Sequence, residues 1–194
     1  NGNGEMQQIH RPYVLIQYAM QIIGAGRDKT FITNGGFKIL GRRGRRGKRV
    51  DMQGMTMKGA SQCGLYNDNG LSFLCKDMTF TQYGEAGVWA ENTKGRFINC
   101  VITQCRWSGI YCYNNALIEL EGSQTKVDGN GASGDGDDYG LKTEYTSSTI
   151  HLLFPLTKES VSTNNRWGKN YGGKGPIQTV DSFETSCSSI PGTL

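Results

Sequence analysis

The chain has 194 residues, 28 of them glycine and 4 proline, with 36% hydrophobic residues and a net charge of +4. That length allows one domain with a real core, while the glycine-rich composition disfavours an architecture of long helices. No run reaches the ~18 apolar residues of a membrane span, and six cysteines without a CxxC pair suggest neither a zinc site nor a thioredoxin motif.

In chain order, residues 1–20 read as an N-terminal cap, with a short helix expected within Met6 to Met20. No secretory signal is visible at Asn1, and a start other than Met is compatible with one that was removed. From residue 21 a repeat takes over. A glycine followed by an apolar residue occurs at Gly36-Phe37, Gly64-Leu65, Gly87-Val88, Gly109-Ile110 and Gly140-Leu141, at spacings of 28, 23, 22 and 31. Each of the two long intervals holds a charged segment. Gly41 to Arg49 carries six cations, and Asp128 to Asp138 carries four acids. Both read as loop insertions.

A second phrase repeats in phase. Met52, Met55 and Met57 align with Cys75, Met78 and Phe80, and these with Phe97, Cys100 and Ile102. The last two of each set alternate as a strand does. Gln53-Gly54, Lys76-Asp77 and Ile98-Asn99 read as tight bends, and a fourth copy near Leu120 to Val127 is degenerate. No pair of ten-residue stretches with period 3.6 is present, as a helical repeat would need. Three short strands per 22–24 residues instead make one coil of a parallel β-helix. The expectation is an all-β solenoid of five to six coils over residues 21–154, with a capping loop and tail over 155–194.

Successive coils stack at ~4.8 Å, so equivalent residues form columns. Phe37, Leu65, Val88, Ile110 and Leu141 form an inward column. Alternation then points Tyr66, Trp89, Tyr111 and Lys142 outward, and two residues further on Asp68, Glu91, Tyr113 and Glu144. Flat rings stack on sugar rings, and neighbouring carboxylates accept hydrogen bonds from hydroxyls. The same rings also suit packing on one another with no ligand. Carboxylates one coil apart, as Asp68 and Glu91 are, approach the ~5–5.5 Å of a retaining glycosidase, and Glu91 with Glu144 lies nearer the inverting separation. Any two acids in such a column meet those spacings, so Asp68, Glu91 and Glu144 are catalytic candidates on position alone.

The coil pattern, with the sequence from Gln21 to Ile32 leading in, resembles right-handed parallel β-helix proteins of the pectate-lyase-like superfamily over Val14 to Leu153. The stretch from Ser148 to Asn165 resembles a segment that follows β-helices in algal and algal-virus proteins. The resemblance implies right-handedness and a saccharide-facing strand at the glycine-aliphatic phrase. It implies no single activity, because the fold hosts lyases, hydrolases, epimerases and passive modules. For lyase chemistry, Lys142 or the nearby Arg106 would serve as the base beside carboxylate-held calcium, but the superfamily's calcium-ligand and arginine motifs have no copy here.

Arg42, Arg43, Arg45, Arg46, Lys48 and Arg49 would attract a polyanion, or form a solvated loop. Nucleic acid is disfavoured, because this charge is local rather than a continuous stripe. The acidic loop departs from an EF-hand: from Asp128, position five is Ala132 and position twelve is Tyr139. Calcium held another way is the one cofactor it admits. His10 and His151 stand near the ends of the solenoid, away from the acids. The fold favours an extracellular, cell-surface or virion setting, whereas unpaired cysteines and the absence of a sequon favour an intracellular one. The functional expectation is a non-catalytic module presenting its aromatic and acidic face to a polysaccharide or protein partner. Alternatives are a uronate lyase, epimerase or glycoside hydrolase, and a structural component of a virion or surface assembly, for which an oligomer would be expected.

Overall fold

A computed structural model describes residues 13–40, 48–133 and 136–181. The chain winds through seven coils. The first holds β1 (Tyr13–Ile16), β2 (Gln21–Ile23) and β3 (Phe31–Thr33). The second holds β4 (Gly36–Ile39), β5 (Arg49–Gln53) and β6 (Thr56–Lys58). The third holds β7 (Leu65–Asp68), β8 (Ser72–Lys76) and β9 (Thr79–Thr81), and the fourth β10 (Val88–Glu91), β11 (Lys94–Ile98) and β12 (Val101–Thr103). The fifth holds β13 (Ile110–Tyr113), β14 (Leu117–Glu121) and β15 (Lys126–Asp128). The sixth holds β16 (Leu141–Thr143), β17 (Thr149–Leu153), a single-turn helix α1 (Lys158–Val161) and β18 (Ser162–Thr163). The last holds β19 (Tyr171–Gly173) and β20 (Ile177–Val180).

Every third strand pairs in parallel, giving two seven-stranded sheets and one of six. We call them the first, second and third sheets, in the order in which each coil visits them. The bends expected between the second and third strands of a coil are present. Gly54, Asp77 and Asn99 adopt φ of 67°, 50° and 51°, a left-handed geometry that glycine, asparagine and aspartate tolerate best. The degenerate fourth copy has a two-residue insertion after its positive-φ residue, Gly122.

The register matches the expected columns. Phe37 lies opposite Leu65, Leu65 opposite Val88, Val88 opposite Ile110, and Ile110 opposite Leu141. All five are buried, as are Met55, Met78 and Cys100, and Met57, Phe80 and Ile102. Strand after strand alternates buried and half-buried residues, as with β10 and β13. A parallel sheet with one face on a core requires that pattern.

Three expectations need correction. The coils number seven rather than five to six. The segment expected to hold a short helix contains β1, a run of tyrosine and branched aliphatics that suits a strand, with residues 1–12 outside the described set. The repeat also continues past Pro155: β18, β19 and β20 pair with β15, β16 and β17. The seventh coil lacks the glycine-aliphatic phrase because Tyr171, Gly172 and Gly173 occupy its place. The ring of Tyr139 fills the space that a side chain at Gly172 would need.

Within the core, Gly95 lies opposite Phe73 of the coil before. A Cβ at Gly95 would overlap that ring. Gly95→Ala is therefore expected to cost ~1–3 kcal/mol in urea denaturation. The double variant with Phe73→Leu should lose less than the sum of the two single losses. The cysteines Cys63, Cys75, Cys100, Cys105 and Cys112 are free and buried. Burial pushes the thiols of Cys100 and Cys105 up to about 12. A disulfide-exchange reagent near neutral pH should modify these five only as fast as the chain unfolds; rapid labelling of any of these five in the native protein would contradict their placement.

Candidate functional site

The outer face of the first sheet carries the stripe. Tyr66 lies opposite Trp89, and Trp89 opposite Tyr111. Their ring centroids are 5.8 Å and 4.5 Å apart, the second pair edge-to-face at 83°. Tyr113 adds a ring 5.8 Å from Tyr111, and Tyr145 stands 4.9 Å beyond it, with their hydroxyls 3.0 Å apart. At the other end Tyr13 lies opposite Gly36 and leans past it to reach Tyr66 at 6.2 Å. Lys38 sits over the Tyr66 ring at 4.7 Å. Six rings thus run from the first coil to the sixth. Tyr13 and Tyr145 lie outside the repeat phrases, so the sequence pattern did not mark them. Trp89 is half-buried among its neighbours, and its buried Nε1–H has no hydrogen-bond partner.

Asp68 and Glu91 lie opposite each other in adjacent coils, with Tyr113 next in line. Each carboxylate is engaged by a neighbouring amide. Asn69 donates to Asp68, and Asn114 donates to Glu91 at 2.7 Å. Glu144 follows the end of β16. It accepts from the Tyr111 hydroxyl and pairs with the Lys142 ammonium, each at 3.2 Å.

Lys142 holds its expected register opposite Tyr111 but is only 8% exposed. The acidic insertion covers it: Asp137 accepts from its ammonium at 2.7 Å. The Tyr111 ring lies 4.9 Å away. Burial alone would lower the Lys142 pKa, but the hydrogen bonds and charges of Asp137 and Glu144 outweigh it, and the net shift is upward. An ammonium held in its charged form does not fit the part of a proton-abstracting base.

The insertion is itself well anchored. The buried amide of Asn130 accepts from the Cys105 amide N–H and donates to the Ile102 carbonyl. Gly131 donates to the carbonyls of Cys105 and Trp107. These bonds set Asn130 and Gly131 beside the turn that carries Trp107 and Ser108. The sequence did not mark Trp107, because it lies in a turn outside both repeated phrases.

Among the described residues, no group of three or more His, Cys, Asp or Glu is arranged to hold a metal ion. Asp137 is taken by Lys142, and Asp138 accepts from Ser133. Arg42, Arg43, Arg45 and Arg46 lie outside the described residues. Lys48 is exposed, and Arg49 pairs with Asp51 at 2.6 Å on the second sheet. His151 stands on the second sheet opposite Glu119, remote from the stripe. No helix among the described residues is long and apolar enough to cross a membrane.

Residues 14–154 match the family model described as the right-handed beta helix region. No curated protein and no solved structure matches the chain.

Burial, followed by the charge of Glu144, pushes the Tyr111 hydroxyl well above its ordinary value, and burial raises those of Tyr13, Tyr66 and Tyr83. A raised folded pKa contributes stability below the ordinary phenol pKa of about 10, and that contribution is lost as pH rises further. Tyrosinate absorbance from these four should therefore appear late in an alkaline titration, together with unfolding. Glu144→Gln removes a negative charge beside Tyr111, so the Tyr111 portion should ionise at lower pH. An unchanged titration curve would contradict the Tyr111–Glu144 contact.

Proposed function

The chain belongs to the right-handed β-helix family, and on that premise we propose that it is a non-catalytic module that binds a polysaccharide along the first sheet. The observation that carries this reading is the unbroken run of six rings from Tyr13 to Tyr145 on one outer face. Rings packed only for stability can bury their faces on one another. Here Tyr145 stays 40% exposed, and Tyr66, Trp89, Tyr111 and Tyr113 are half-buried, so none is fully covered by its neighbours. Rings in that state offer apolar area to a sugar ring at a low entropic cost of ordering. The coil rise of ~4.8 Å makes the array periodic, which suits a polymer more than a compact ligand. Asp68, Glu91 and Glu144 flank the rings as acceptors for hydroxyl groups.

An enzymatic reading rests on the register pair Asp68 and Glu91. Two facts favour binding over catalysis: each of those carboxylates is tied to an asparagine amide, and Lys142 is held charged.

A glycan-binding screen with the full chain tests the proposal. We expect Trp89→Ala and Tyr111→Ala each to weaken binding about tenfold or more. Asp68→Asn and Glu91→Gln should weaken it less, and no shortened product should form. Binding unchanged by both aromatic variants would rule out the stripe as the site. Product that forms and is lost on Asp68→Asn or Glu91→Gln would establish catalysis instead.

A further inference from the structure

Beside the stripe, where the chain enters β10 and β13, lies a pocket of about 150 Å³. Trp89 and Tyr111 line it from the stripe, and Ala86 from the turn before β10. Trp107 and Ser108 come from the turn before β13. Asp138 comes from the acidic insertion, and Lys142 from β16. The volume is well below the roughly 300–1,000 Å³ of a pocket for a drug-sized ligand. It holds one sugar ring rather than a length of polymer. Two indoles and a phenol supply the flat apolar walls. Ser108 accepts from the amide N–H of Tyr139 at 3.1 Å, which leaves its O–H to donate.

Charge decides which ring fits. Lys142 is the cation in the lining, and it is already held between Asp137 and Glu144. The carboxylate of Asp138 is partnered by a neutral hydroxyl, that of Ser133. The lining therefore presents its uncompensated charge as negative. A carboxylate or sulfate entering this half-buried space would meet like charge at reduced screening, which is unfavourable. A neutral ring meets no such penalty, and its hydroxyls find a carboxylate acceptor together with hydroxyl and ammonium donors.

Resting on the reading of the stripe as a glycan surface, we infer that this pocket is a subsite for one neutral pyranose ring. The ring stacks against Trp89 or Trp107 and bonds to Ser108, Asp138 and Lys142. The module thereby selects neutral over uronate or sulfated glycans. Trp107 and Asp138 set this specificity, one by shape and one by charge.

Calorimetric titration of the full chain separates the outcomes. Cellohexaose, mannohexaose and xylohexaose serve as neutral probes, and hexagalacturonate and hexaguluronate as acidic probes of matched length. At least one neutral probe should bind about tenfold tighter than either uronate. Trp107→Ala should weaken neutral binding about tenfold, and Trp107→Phe should restore most of it. Asp138→Asn should narrow the gap by strengthening uronate binding. Uronates that bind as tightly as the neutral probes would overturn the charge selection while leaving the stripe as a glycan surface. Neutral binding that ignores Trp107→Ala, yet falls with Trp89→Ala, would overturn the pocket alone. If no glycan binds at all, the reading of the stripe fails, and this inference fails with it.

Discussion

In a parallel ladder, each strand accepts and donates hydrogen bonds in a fixed register with its neighbour. A residue in one coil therefore stands directly over its counterpart in the coil below, at ~4.8 Å. Slipping by one position would turn the apolar set outward and the polar set inward. That constraint governs both faces of this molecule. On the inside it aligns Phe37, Leu65, Val88, Ile110 and Leu141 into a continuous core. On the outside it aligns Tyr66, Trp89 and Tyr111. The surface array is thus a consequence of the core, and a coil cannot shift its aromatic residue without also exposing an aliphatic one.

The solenoid was readable from the sequence because its signals are local. Glycine followed by an aliphatic residue opens the first strand of a coil, and a left-handed residue such as Gly54, Asp77 or Asn99 turns the second strand into the third. The features that escaped depend on distant contacts. Lys142 has an outward position in its strand, yet Asp137 folds over it from an insertion whose course no periodicity encodes. Trp107 and Tyr145 sit in turns. Tyr13 reaches Tyr66 past glycine at position 36, where a side chain would crowd the Tyr13 ring. The seventh coil lacks the phrase: Tyr171 takes the aliphatic position opposite Leu141, and the ring of Tyr139 from the coil before fills the space beside Gly172 in the outward column.

The electrostatics of the face follow from which groups are already paired. Asp68 and Glu91 are tied to asparagine amides, and Glu144 to Tyr111 and Lys142. Side chains held in this way are pre-organised, and a ligand that meets them loses little more entropy in ordering them. The acidic insertion has two effects on the same spot. Asp137 neutralises the one cation in the pocket, and Asp138 adds a charge of its own. The loop that reads from sequence as a calcium candidate supplies Asp138 to the lining of the pocket and Asp137 to Lys142.

A glycan bound along the stripe and seated in its flanking pocket must contact both at once. The indole Nε1–H resonances of Trp89, Trp107 and Trp167 report this directly in a titration with a neutral hexasaccharide that binds. Trp167, 73% exposed beside Arg166, serves as the internal control. The Trp89 and Trp107 signals are expected to shift together along one saturating curve while Trp167 stays in place. A shift confined to Trp167, or an equal shift of all three without saturation, would contradict that joint contact.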